Sequence, residues 1–267
     1  MHLIMNKGSY KAFIVEGASR EKGIVENIIR VHFKNTEKYK IITLPAEQNI
    51  YMLWKMMKEN DFETDIIEEV REYSIMAKQS LTGLTRNDFA EVFLFFDYDG
   101  HQRNLSEGED GEAVLQQMLE SFDNETENGK LYINYPMVEA VRDFVQGDCK
   151  AYTSCKWIIS NLTEYKEKTG NNSKNTIINN YDFPKWREVI NVFAMRVSCL
   201  FGQDVVMSYA EYTKVTPLDI YKRQKRYIEL GEIFVLDAFS EFLLDYFSEK
   251  FWKKCVKSNS LKNKCGC

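Results

Sequence analysis

The chain has 267 residues, 44% hydrophobic and 28% charged, with 17 Phe, 15 Tyr and 4 Trp, a composition that builds a core and excludes wholesale disorder. Its net charge of −5 speaks against a protein that coats nucleic acid with its whole surface, and leaves a local basic face open. No run reaches the roughly 18–20 apolar residues that span a bilayer. The start, MHLIMNKGSYK, lacks the basic and apolar stretches of a secretory leader. Six cysteines in such a chain read as reduced. A cytoplasmic protein without a membrane segment is expected.

Lys11–Val15 is a short β-rich apolar run, followed at once by Glu16-Gly17 and then by a helical pattern with Ile24, Ile28 and Ile29. Strand, glycine turn and helix in that order open a βαβ unit. Lys40–Leu44 reads as a second strand stopped by Pro45, with helices over about 47–59 and 64–80. Phe93–Phe96 is the most apolar strand core, and such runs without polar alternation suit a parallel strand buried on both faces. It ends in Asp97-Tyr98-Asp99-Gly100-His101. A helix near Ala113–Phe122, a polar loop Asp123–Gly129, a strand Lys130–Ile133 and a helix Met137–Phe144 follow. Four strands with intervening helices make a mostly parallel sheet flanked by helices.

Beyond Gly147 the pattern turns helical, over Ala151–Lys168, Pro184–Phe201, Thr216–Leu230 and Ile233–Lys254. Thr216-Pro217 gives one start signal, an N-cap before Pro at the first helical position. The expected organisation is an α/β domain over 1–148, a helical domain over 149–254 and a basic, Cys-containing tail over 255–267. Cys255, Cys265 and Cys267 supply three soft ligands without a fourth, which is weak support for zinc.

Residues just past the C-terminal ends of parallel strands line the usual ligand crevice. Glu16 follows the first strand; Asp97 and Asp99 follow the third, two residues apart and so on one side of an extended segment. Three converging carboxylates suit a hard cation such as Mg²⁺, which can clamp a phosphodiester and activate water. The bland alternative is that these acids cap helices or lie in water.

Val15-Glu16-Gly17 after a first strand, the helix opening at Arg20-Glu21-Lys22, and Phe95-Phe96-Asp97-Tyr98-Asp99-Gly100 after a later strand resemble the TOPRIM domain of topoisomerases, primases and the overcoming-lysogenization-defect nucleases of phage defence. The resemblance covers about residues 10–145. It implies a TOPRIM-like four-stranded sheet, Glu16 as metal-linked general acid/base, and Asp97 and Asp99 as ligands of Mg²⁺, with Mn²⁺ as a substitute. The segment Tyr132–Glu139 resembles one where defence-type members place another carboxylate, so Glu139 is a candidate further ligand. Such members often carry an acid four residues after the first Glu; here Arg20 stands there and Glu21 follows it. The resemblance also implies a DNA or tRNA/RNA substrate and a partner ATPase that restrains the nuclease, as in PARIS-type systems.

Lys222, Arg223, Lys225 and Arg226 put four cations in five positions, a candidate phosphate-backbone contact; a solvated helix face explains them equally well. The aromatic 233–252 stretch is a candidate homodimer seam, because one helix face cannot hide so many rings. His101 adjoins the acids. No P-loop and no nucleophile elbow occurs. Two other functions compete. Asp97 and Asp99 also fit a haloacid-dehalogenase-type phosphatase, with Asp97 as nucleophile, although the motif lies late in the chain. A noncatalytic TOPRIM-like binding or regulatory subunit is the third reading, since fold does not fix function.

Overall fold

Parallel pairing of the two most apolar strands organises the first part of the chain. A computed structural model describes residues 10–33, 40–98, 105, 108–144, 155–170 and 177–258. Its elements run β1 (Tyr10–Val15), α1 (Arg20–His32), β2 (Lys40–Pro45), α2 (Ile50–Glu59), α3 (Ile66–Tyr73), α4 (Ile75–Ser80), β3 (Phe89–Asp97), α5 (Gly111–Ser121), β4 (Asp123–Asn124) and β5 (Gly129–Asn134). Next come β6 (Lys156–Ile158), α6 (Leu162–Gly170), α7 (Phe183–Leu200), α8 (Tyr209–Tyr212), α9 (Pro217–Ile228), β7 (Glu232–Phe234), α10 (Ala238–Tyr246) and α11 (Glu249–Cys255).

The main sheet has the order β2-β1-β3-β5-β4. β1 pairs in parallel with both β2 and β3, and its register ends at Val15↔Pro45 and Val15↔Phe95. Ala12, Phe13, Ile14 and Val15 are wholly buried, as are Val92, Leu94 and Phe96 of β3. That burial on both faces is why neither strand alternates apolar with polar. The protein is therefore α/β, with a mostly parallel sheet flanked by helices. The sheet has five strands and not four, because the expected loop 123–129 contains β4. Asn124 Oδ1 accepts from the Thr126 N–H and hydroxyl at 3.0 and 2.8 Å, a side-chain turn that folds β4 back antiparallel on β5. One charged pair interrupts the apolar interior: Lys11, only 3% exposed, bonds Glu91, its register partner on β3.

The chain divides into two compact units, Met1–Phe96 with His101–Leu131, and Asp97–Gly100 with Tyr132–Cys267. The expected boundary near 148 falls on residues outside those described, as does the tail from 259 onward. Within the first unit, the helix expected over 64–80 is broken at Ser74, whose hydroxyl accepts from Ala77 N–H at 3.1 Å and so starts α4.

The second unit is not purely helical. Its expected helix over 151–168 begins, in the described part, as β6, which pairs antiparallel with β7. The expected 137–144 helix is a 3-10 helix over Val138–Arg142. The expected 233–254 helix is three elements, β7, α10 and α11. Asp237 starts α10 by accepting from Ser240 N–H at 2.7 Å, and extended backbone at Phe247 and Ser248 separates α10 from α11. α7 packs against α9, α10 and α11. Phe234, Phe239 and Phe242 are buried within this unit, and Phe247 stacks on Phe251 at 4.7 Å. Phe234, Phe239, Phe242 and Trp252 are thus taken up by the unit's own core, and Tyr246, Phe247 and Phe251 remain half-buried. The Thr216 start signal holds: its side chain accepts from Asp219 N–H at 3.1 Å, and Asp219 answers to the Thr216 N–H at 3.0 Å. Gln224 on α9 closes the ribbon, accepting from Phe234 N–H at 2.9 Å and donating to its carbonyl at 2.8 Å.

Asp237 is 4% exposed, and burial pushes its carboxyl up to about 6, against the opposing pull of its bonds to Ser240 and the charge of Arg196. A carboxyl raised in the folded state stabilises most below its ordinary value near 3.8, and that stabilisation is lost as pH rises through about 6. Asp237→Asn keeps a good N-cap and removes the charge. It should melt higher than the parent above pH 6, by at most about 3 kcal/mol, with the advantage fading towards pH 4. Thermal melts across that range check this.

Candidate functional site

In the first unit, the candidate rim grows from the ends of β1 and β2. β1 stops at Val15, and Glu16-Gly17 turns the chain into α1. Two donors from the end of β2 extend the ladder past the strands: Ala46 N–H to Val15 carbonyl at 2.8 Å, and Glu47 N–H to Glu16 carbonyl at 2.9 Å. Glu16 is half-buried. The Glu21 carboxylate from the first turn of α1 lies against Gly17, where a Cβ would collide with its Oε2. Glu21 therefore sits over the turn that carries Glu16. Glycine at 17 is what makes room for it.

Glu47, at the end of β2, belongs to no sequence motif. Its backbone φ is +56°, and its Oε2 accepts from the Ser74 hydroxyl at 2.9 Å. The rule that picks Glu16, an acid just past a parallel strand, finds it when applied to β2.

In the second unit, Asp97 Oδ1 accepts from Asn134 Nδ2 at 3.0 Å. Asn134, 1% exposed, also accepts on Oδ1 from Ala238 N–H at 2.9 Å and on its carbonyl from Tyr98 N–H at 3.0 Å. One buried amide thus ties the end of β3, the end of β5 and the start of α10 together. In sequence Asn134 is one residue of the Tyr132–Glu139 segment, and nothing there signals this role. Glu139 lies buried in the Val138–Arg142 helix.

On α9, Ile220, Tyr221 and Gln224 face inward. Lys222 and Arg226 are exposed, Lys225 is half-buried, and Arg223 lies over the Phe201 ring at 5.1 Å. The four cations thus lie on the side of α9 away from Ile220, Tyr221 and Gln224, and only Lys222 and Arg226 are exposed there. Lys225 and Arg226 stand in the last turn, where cations complement the helix dipole.

Asp99, His101, Cys265 and Cys267 lie outside the described residues. Cys255 is buried, and burial pushes its thiol up to about 12, which disfavours the thiolate that zinc needs. Among the described residues, no group of three or more His, Cys, Asp and Glu side chains is arranged to hold a metal ion. The expected trio thus cannot be assembled without Asp99. What the described residues offer is hard oxygen donors at strand ends, Glu16 in one unit and Asp97 in the other, which match Mg²⁺ or Mn²⁺ in donor chemistry. Among them, too, no helix is long and apolar enough to cross a membrane.

Comparison with known proteins finds no matching family model, no matching curated protein and no matching solved structure.

Asn134→Ala should cost on the order of 2–3 kcal/mol, because it leaves the Ala238 N–H without its buried acceptor and the Asp97 carboxylate without its amide donor. Denaturant unfolding measures it, and a loss below about 0.5 kcal/mol would mean that water replaces the amide at both ends.

Proposed function

We propose that the chain is a Mg²⁺-dependent nuclease of TOPRIM type, hydrolysing DNA or RNA phosphodiesters with Glu16 and Asp97, and with Asp99 and Glu139 as further ligands. The observation that carries this reading is the parallel pairing of β1 with β3. It makes the strands that lead into Glu16 and Asp97 neighbours, running the same way in one sheet. The resemblance of the Glu-Gly and Asp-x-Asp segments to TOPRIM supports it independently.

The chain's own residues would act as follows. Asp97 presents a carboxylate held in place by the Asn134 amide. Glu16, its carbonyl held by the Glu47 N–H, would take or return a proton during phosphodiester cleavage. Bound Mg²⁺ would supply charge neutralisation and an activated water. Lys222 and Arg226, and Lys225 in part, would meet the phosphate backbone, with Arg223 held over Phe201. Restraint by a partner ATPase and a role in phage defence rest on the resemblance alone.

The Asp97–Asn134–Ala238 bracket favours a second reading, in which Asp97 is structural and the chain is a noncatalytic subunit. Asp97→Asn and Asp97→Ala separate the two. The asparagine keeps an oxygen for Asn134 Nδ2 and loses the charge. It should melt within a few degrees of the parent and cut plasmid and tRNA at least ~100-fold more slowly in Mg²⁺. Asp97→Ala should lose both stability and activity. Parent-like cutting by Asp97→Asn would end the catalytic role of Asp97, and a parent protein that cuts neither substrate in Mg²⁺ or Mn²⁺ would end the nuclease reading.

A further inference from the structure

Among the described residues, three non-glycine residues have positive φ: Glu47, Asp61 and Phe62. Asp61 and Phe62 have an ordinary cause. They close α2, with Phe62 N–H bonded to Met57 carbonyl at 2.8 Å and Asp61 N–H to Lys58 carbonyl at 3.0 Å, the usual left-handed helix ending. Glu47 ends no helix. It follows β2 at the rim, at a position where glycine or asparagine would sit with less strain. A side chain kept there at a cost of order 1 kcal/mol calls for a use.

That use is visible in its contacts. The Glu47 carboxylate accepts from Ser74 Oγ at 2.9 Å, Ser74 is 1% exposed, and the same hydroxyl caps α4 through Ala77 N–H. The buried serine anchors the side chain, the anchored side chain holds the left-handed turn, and the turn aims the Glu47 N–H at the Glu16 carbonyl, 2.9 Å away. The path from Ser74 to Glu16 lies wholly in the first unit and passes through one residue.

We propose that Glu47 is a positioning residue for Glu16: it fixes the backbone from which the Glu16 carboxylate projects, through its own N–H, and it does so because Ser74 holds its side chain. This rests on the nuclease reading for its consequence in catalysis. The coupling between Ser74, Glu47 and Glu16 can be read without it. The role asked of the Glu47 side chain is that of an acceptor, not of a charge, so glutamine should serve where glycine does not.

The test uses the full chain in four forms, the parent, Glu47→Gln, Glu47→Gly and Ser74→Ala. Three readouts apply: amide hydrogen exchange at residue 47, calorimetric titration with Mn²⁺, and the Mg²⁺ concentration for half-maximal plasmid nicking. Circular dichroism melts confirm folding; Glu47→Gly relieves the left-handed strain and leaves the α4 cap intact, so it guards against a Ser74→Ala protein that fails to fold. In Glu47→Gly and Ser74→Ala, protection of the residue 47 amide should fall about tenfold, and Mn²⁺ affinity should fall about tenfold or more, as when an outer partner of a metal ligand is removed. The Mg²⁺ requirement should rise in parallel, and Glu47→Gln should behave as the parent on all three. Unchanged protection in both damaging variants overturns the coupling. Lost protection with parent-like Mn²⁺ affinity and Mg²⁺ requirement overturns the positioning role. A Glu47→Gln protein as impaired as Glu47→Gly overturns it too, since the charge would then be what matters. A parent that neither binds Mn²⁺ nor cuts, while the exchange pattern is as expected, overturns the nuclease reading and with it the catalytic role, and leaves only the coupling standing.

Discussion

Two parallel strands closed off from water on both faces impose most of the architecture of the first unit. β1 and β3 can satisfy their backbone groups only by pairing with neighbours, and parallel neighbours can be joined only by long crossovers. Helices must then cover the sheet, and every strand-to-helix turn from a parallel strand falls at one edge. Glu16 and Glu47 reach the rim for this reason, and Asp97 closes a strand that runs in the same direction. Polar residues cannot sit within the strands without partners, so they accumulate just past the ends, where the backbone is free to turn.

The second unit solves a different problem. Its elements are short, and several are joined by single buried polar side chains. Gln224 bonds both backbone groups of Phe234, Asn134 gathers three segments, and Asp237 caps α10 from inside the core. Each such group is costly when unpaired and directional when paired. They fix the geometry of short elements that apolar packing alone would leave free to shift.

This difference governs how much can be read from the residues. β1 and β3 are legible because continuous apolar runs bounded by Glu-Gly and Asp-x-Asp have few other uses. The start of α9 is legible because Thr216-Pro217 acts locally. β6 and β7 are not, since three residues carry no periodicity and their pairing depends on Gln224 from another element. The break at Asp237 is hidden because aromatic residues continue across it, and burial of those rings inside the unit cannot be told from their exposure by counting them. Glu16 and Asp97 are picked out as acids at strand ends. Glu47 escapes because Pro45-Ala46-Glu47 matches no motif.

The Lys11–Glu91 pair, buried at the lysine and half-buried at the carboxylate, carries a consequence for how the sheet assembles. Lys11 stands on β1 and its carboxylate partner on β3, yet β2 lies next to β1 in the chain. If β1 and β2 join first, the ammonium is carried towards the interior with its counter-ion still far down the chain, an arrangement that desolvation penalises. The register that sets Lys11 opposite Glu91 supplies this carboxylate, and a slip of one residue along β1 would turn the ammonium to the other face of the sheet. The pair thus favours one register: a sheet misaligned by one residue would lose this contact, a penalty that a uniformly apolar surface would not impose.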